Sequence, residues 1–193
     1  MNTVHLENYI QLLLPMPSDK VQQVIENFEC IEVAKNEFIL KENNISKSLF
    51  FLETGCIRSY TFDRNGVEVT TNIFSAPCFV NDFLAFFKQQ STKENFQTLT
   101  ACTLWKMSFQ QVQSSFHNIP EFREFGRMML VTNYSNLHER MIGMIKDTAE
   151  LRYLKLIEQY PAIIQQVPLK IIASYLGITD TSLSRIRKEV AHK

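Results

Sequence analysis

The sequence predicts an α+β chain in which helices frame a strand-rich body, followed by a long helix and a small helical C-terminal unit. Three observations carry this. Short runs rich in β-branched and aromatic residues alternate with turn residues from about Cys30 to Ser108; a helical period returns at Pro120 and persists; and residues 168–190 divide into two amphipathic segments around Gly177.

The N-terminal segment reads as helix. Ser18 stands where it can cap Val21, Val24, Ile25 and Phe28, which follow at i, i+3, i+4 and i+7. Strand-like runs then cover 37–40, 49–53, 56–62, 68–74, 96–100 and 103–107, separated by Asn43-Asn44, Thr54-Gly55, Asp63-Arg64-Asn65-Gly66 and Ala76-Pro77. Asn65-Gly66 between two such runs signals a hairpin, because both residues tolerate positive φ. Many short strands at this spacing predict a β-sandwich or barrel-like body.

Beyond Pro120, Leu130, Tyr134, Leu137, Met141 and Met144 recur at alternating steps of four and three. Such a seam pairs two helices, either within one monomer or between two copies. Phe122, Phe125 and Met129 fall on another face, suited to docking on the β body. A further helix is predicted over 148–159, stopping before Pro161, and the last segment opens at Val167-Pro168.

Composition narrows the function. The 193 residues are 45% hydrophobic and include 15 Phe, enough for a buried core, and Lys+Arg balance Asp+Glu at 20 each. The charge is segregated: after residue 147, seven cations face four carboxylates, while the first 147 residues hold 13 against 16. A polyanion partner is therefore expected at the C-terminus. No apolar run approaches the roughly 18 residues that cross a bilayer, and the N-terminus lacks a signal-peptide layout, so a cytoplasmic protein with no membrane association is expected. Cys30, Cys56, Cys78 and Cys102 are too dispersed for a zinc or cluster site and read as reduced structural thiols. No glycine-rich phosphate loop, nucleophile elbow or paired-histidine metal helix occurs, and His5, His117, His138 and His192 have no partner at motif spacing. Neither enzymatic activity nor a metal is expected.

In the C-terminal segment, Ile172, Ala173 and Leu176 form one apolar face, Gly177 permits a sharp turn, and Thr179 caps a second helix bearing Leu183, Ile186 and Val190. This is the layout of a helix-turn-helix, whose second helix enters the DNA major groove. With the apolar triad turned inward, Thr181, Ser182, Arg185 and Lys188 face out. Arg185 can fork onto guanine O6/N7, while Thr179 and Arg187 or Lys188 suit phosphates.

The order of body, seamed helix and terminal motif resembles the Crp/Fnr family of bacterial transcription regulators. Leu176-Gly177-Ile178-Thr179 followed by Leu183-Ser184-Arg185-Ile186-Arg187 is similar to that family's recognition motif, and residues 49–58 (LFFLETGCIR) resemble a strand pair of its cyclic-nucleotide-binding β-roll. The resemblance implies an N-terminal double-stranded β-helix (a β-roll or jelly roll) with flanking helices over 1–118 and a dimerisation helix over 119–147. A winged-helix-like helix-turn-helix domain follows over 148–193, its wing reduced because only 162–167 is available for wing strands. It also implies a homodimer on a palindromic double-stranded DNA operator, an effector sensed in the roll, and RNA polymerase as a further partner.

The departures are specific. Cyclic-nucleotide binders of the family carry Gly-Glu at the phosphate turn and an arginine further on. Here Phe79-Val80-Asn81-Asp82-Phe83 and residues 91–97 (STKENFQ) stand in those places. Lys93 offers a point charge without a bidentate fork, and Glu94 offsets it. The candidate effector pocket is thus Phe79, Asn81, Asp82, Phe83 and Lys93, degenerate for cyclic nucleotides and either ligand-free or turned to a more apolar effector; no cofactor is expected. Asp180 and Thr181 replace the family's usual pair at the start of the recognition helix, so base preference does not carry over. The competing function is a ligand- or partner-sensing roll dimer without sequence-specific DNA binding.

Overall fold

The structure, a computed structural model, describes residues 4–191, so His192 and the tail cation Lys193 lie outside the described residues. Two helices, α1 (Val4–Leu13) and α2 (Ser18–Ile25), precede the body. Val21, Val24, Ile25 and Phe28 are buried as their spacing predicts. Ser18 does not cap. Pro17 occupies the cap position, no side chain bonds the first turn, and Ser18 is already helical.

The body contains β1 (Glu29–Val33), β2 (Phe38–Leu40), β3 (Ser48–Thr54), β4 (Cys56–Phe62), β5 (Glu68–Ser75), β6 (Cys78–Val80), the short helix α3 (Phe83–Lys88), β7 (Asn95–Thr98) and β8 (Cys102–Ser108). They pair antiparallel into two sheets, ordered β1-β8-β3-β6 and β2-β7-β4-β5. Alternating inward residues of both sheets build the interior: Phe50, Leu52, Ile57, Val80, Phe96 and Leu104 form one buried cluster. The β4–β5 hairpin turns as its sequence predicts, but only Gly66 takes positive φ. Asn65 does not need to, because the Asp63 carboxylate accepts from the backbone N–H of Asn65 (2.8 Å) and Val67 (2.9 Å) and shapes the loop itself. Strands β1 and β6 and helix α3 escape the periodicity reading; β6 and α3 are too short to show a period, and residues 83–87 read only as an apolar cluster.

Helix α4 (Phe109–Asn118) starts with a reciprocal capping box between Ser108 and Gln111, and α5 (Pro120–Lys146) follows with proline in its first turn. Phe122, Phe125 and Met129 are buried against the body as expected, at 1%, 1% and 2% exposure. Phe125 meets Phe79 at 5.7 Å between ring centroids, and Phe79 meets Phe51 at 5.1 Å, so the aromatic core runs from sheet into helix. Each such ring, fully buried, contributes roughly 1.5–3 kcal/mol from area alone. Further along α5 the burial stops: Tyr134 and Leu137 are 68% and 62% exposed, and Leu130, Met141 and Met144 are exposed with them.

The C-terminal unit comprises α6 (Ala149–Gln159), capped by Thr148, then α7 (Ile163–Gln166), α8 (Leu169–Leu176) and α9 (Asp180–Ala191). The winged-helix expectation is corrected here. No strand follows Ser108 among the described residues, and the segment available for a wing is helical, because Ile163 and Val167 are spaced to bury one helical face. Its core is shared with the body: Cys56, Ile73 and Leu99 join Tyr153, Leu156, Ile163, Ile172, Leu176, Leu183 and Ile186 in one buried cluster.

Candidate nucleic-acid interface and roll pocket

Helix α8 ends at Gly177, which takes φ +67 in the left-handed region that a side chain rarely adopts. A Cβ there would lie 2.7 Å from the Met144 methyl carbon, so the turn also packs on the end of α5. The last four carbonyls of α8 are each satisfied. Ile178 N–H donates to Ala173 (3.0 Å) and Gly177 N–H to Ser174 (3.1 Å); Arg140 donates to Tyr175 (3.0 Å) and Arg152 to Leu176 (3.0 Å). Two residues after the glycine, Thr179 caps α9 as expected: its hydroxyl accepts from Ser182 N–H at 3.2 Å and its carbonyl from Leu183 N–H at 3.0 Å.

Helix α9 buries Leu183 and Ile186 and half-buries Val190, which leaves Thr179, Thr181, Arg185 and Lys188 exposed, with Ser182 and Arg187 half-buried. Thr181, Arg185 and Lys188 therefore share one open face of α9, while Ser182 and Arg187 lie on opposite flanks of its buried stripe. Arg185 is 77% exposed in its side chain and stands 3.8 Å from Glu189, a pairing weak enough to yield to another anion. The hydroxyls of Thr181 and Ser182 each lie 2.9 Å from that of Thr179. Ser184, which the sequence reading omits, joins Arg187, Lys188 and Ala191 around a shallow groove; the four-then-three spacing of Ser184, Lys188 and Ala191 was the available signal.

The residues assigned to the roll pocket do not converge. Phe79 is core, and Phe83 packs against the same cluster. Asn81 is spent on internal bonds, accepting from Ser46 Oγ (2.7 Å) and donating to the Ser48 carbonyl (3.2 Å). Asp82 caps α3 through Ala85 N–H (2.9 Å) and accepts from Thr92 Oγ1 (2.7 Å). Lys93 is exposed. The residue turned inward is its neighbour Glu94. Burial raises the Glu94 carboxyl above its ordinary 4.5, hydrogen bonds from Thr71 and Ser59 oppose the rise, Asp82 adds to it and Arg140 lowers it. The buried Arg58 is committed elsewhere, to Glu68 (2.8 Å), to Gln97 (2.8 Å) and over the Tyr60 ring (4.1 Å). This donor set does not fit a phosphate, which would meet two carboxylates and no free guanidinium fork. Among the described residues no three His, Cys, Asp or Glu side chains are grouped to hold a metal, and burial pushes the Cys56 thiol up to about 12. His5 Nδ1 lies 2.7 Å from a carboxylate oxygen of Glu53, and His138 stacks on Tyr134.

The raised Glu94 value sets a pH signature. A carboxyl whose folded pKa exceeds its unfolded value contributes stability below the unfolded value and loses it as pH rises through the folded one. Glu94→Gln is therefore expected to melt above wild type at pH 7, with the gap closing as pH falls below 4.5. Melting curves that differ by the same amount across this range contradict it.

Residues 30–118 match the family described as cyclic nucleotide-binding domain. No curated protein sequence matches the chain. Solved structures match along most of its length. The c-di-GMP responsive global regulator CLP of Xanthomonas campestris superposes with a TM-score of 0.70 at 12% identity, covering 91% of this chain and 92% of that one. FixK2 of Bradyrhizobium japonicum gives 0.70 at 14%, covering 86% and 85%. The catabolite activator protein of Thermus thermophilus gives 0.57 at 13%, covering 92% and 84%. No helix among the described residues is long and apolar enough to cross a membrane. Residues 30–118 are thus similar to a cyclic nucleotide-binding domain, and the chain shares its fold with these three solved proteins.

Proposed function

We propose that this protein is a homodimeric, sequence-specific DNA-binding transcription regulator. The observation that carries the reading is the α8–Gly177–α9 unit, which turns its apolar triad inward and leaves Thr179, Thr181, Arg185 and Lys188 on one open face. The likeness in fold to solved regulators supports it, as does the positive tail of an otherwise negative chain. In this reading Arg185 reads guanine and Ser182 meets bases or phosphates. Thr179, Arg187 and Lys188 hold the DNA backbone. The operator is palindromic, and RNA polymerase is a further partner.

Dimerisation is assigned to the exposed seam of α5, since five large apolar side chains at coiled-coil spacing stand in solvent in the single chain. Two recognition helices then sit about one DNA turn, roughly 34 Å, apart. The roll over 30–118 serves as sensor. Its effector is not held by a cyclic phosphate in the family's manner, since Glu94 and Asp82 stand where such a phosphate needs cations.

Three measurements test this. Leu137→Glu places like charges together in an apolar seam and should give monomers in sedimentation; an unchanged dimer refutes the seam. Calorimetry with cyclic AMP should show no micromolar binding, and binding abolished by Lys93→Ala would overturn the pocket reading. After selection on random duplexes, Arg185→Ala should cost about 1–3 kcal/mol per half-site and relax preference at one base position. Lys188→Ala should weaken all sequences equally and lower the salt slope by about one unit. Uniform loss in both variants with no palindrome would leave only a nonspecific basic surface.

A further inference from the structure

Strand β5 is the outer strand of its sheet, and its ladder to β4 is broken. Ser59 pairs with Asn72 and Tyr60 with Thr70, so Thr71 is a bulge with no cross-strand partner. At this break two backbone groups of β5 find partners outside the sheet, both tied to the helix-turn-helix unit. Thr70 N–H donates to Ser174 Oγ on α8 at 2.9 Å, and the Thr71 carbonyl accepts from Arg140 Nη1. The other arm of the same guanidinium donates to the Tyr175 carbonyl, and its plane lies 4.1 Å from the Tyr175 ring centroid. Adjacent residues of β5 are thereby joined to adjacent residues of α8, Thr70 to Ser174 directly and Thr71 to Tyr175 through Arg140 of α5.

We propose that Arg140 is a positioning residue for DNA recognition: it locks the helix-turn-helix unit to the open edge of β5 and so fixes the spacing of the two recognition helices in the dimer. The proposal rests on the DNA-binding reading above. Its physical basis is that α8, and not α9, is the docked helix. The lock leaves the α9 face uncovered, so the docked arrangement is the one ready to bind. A dimer engaging two half-sites gains from having its second unit already in place, whereas engagement of a single half-site gains nothing from it. Arginine is required because only a planar fork can bridge two carbonyls while stacking on a ring; lysine keeps the charge and loses the bridge.

The test uses the full chain and two independent readouts. The first is hydrogen exchange of the Thr70 amide without DNA. Arg140→Ala should speed it about tenfold or more while amides of the β3–β8 ladder stay as in wild type, because local opening then competes with a weakened lock. The second is affinity for a selected palindrome against a duplex bearing one half-site. Arg140→Ala should lose roughly tenfold on the palindrome and nothing on the half-site, the signature of lost bivalency, with Arg140→Lys in between. Equal losses on both duplexes would make Arg140 merely structural; unchanged Thr70 exchange, or tighter palindrome binding, would also overturn the proposal. If Arg140→Ala does not fold, Ser174→Ala removes the neighbouring contact and should shift both readouts in the same sense. Wild-type protein that selects no duplex at all counts against the DNA-binding reading instead, and the exchange experiment then decides the lock alone.

Discussion

An outer strand and a helix terminus both present backbone groups that must find partners, and here one guanidinium, that of Arg140, serves a carbonyl of each. Strand β5 closes its sheet with an interrupted ladder; α8 ends with four carbonyls beyond the reach of its own amides. Arg140, set between them, donates to the Thr71 carbonyl of the strand and the Tyr175 carbonyl of the helix, Ser174 Oγ accepts from Thr70 N–H, and the turn's own amides meet the Ala173 and Ser174 carbonyls. Arg152 completes the helix end from α6, where a cation also meets the negative pole of the α8 dipole. These contacts are part-buried, so leaving one of the carbonyls unpaired costs at most about 1–3 kcal/mol and each bond adds little net stability. Residues of the body and of the C-terminal unit consequently share one apolar cluster.

Helix α5 connects everything by treating its faces and its halves differently. Its first turns bury Phe122, Phe125 and Met129 in the aromatic core, which anchors it to both N-terminal helices and the sheet bearing Phe51 and Phe79. Its later turns expose the apolar seam on one side and direct Arg140 to the β5 edge on the other. Met144 belongs to both settings, exposed in the seam while its methyl group touches the Gly177 turn.

Beside β5 the roll holds a small polar cluster of two hydroxyls and a carboxyl. Thr71 pairs its hydroxyl with Ser59 at 2.7 Å on the inner side of β5 and gives its carbonyl to Arg140. Glu94 is held by the same two hydroxyls and lies within the electrostatic reach of Arg140. The hydroxyl and carboxyl cluster inside the roll and the docking of α8 therefore meet at one residue of one strand.

Much of this was legible in the residues. The short β-branched and aromatic runs between Cys30 and Ser108, the buried triplet of α5 and the Leu183-Ile186-Val190 stripe are local patterns with local physical causes, and the structure has strands at those runs and buries or half-buries the others. Gly177 and Thr179 were equally readable, since a left-handed turn and a helix cap each demand few residue types. Ser18 had the right type for a cap but not the right backbone, and a wing expected from fold likeness alone gave way to the helical burial of Ile163 and Val167. Glu94, Arg140 and Ser174 carry no such local signature. A charged residue on a helix or in a loop looks solvated until a strand many positions away opens a ladder beside it, and only the tertiary structure brings Thr71 to Arg140 across 69 positions of chain. The sequence determined the elements and the open face of α9; the meeting of an unfinished strand with an unfinished helix decided how that face is held, because unsatisfied backbone polarity is a property of neighbours in space.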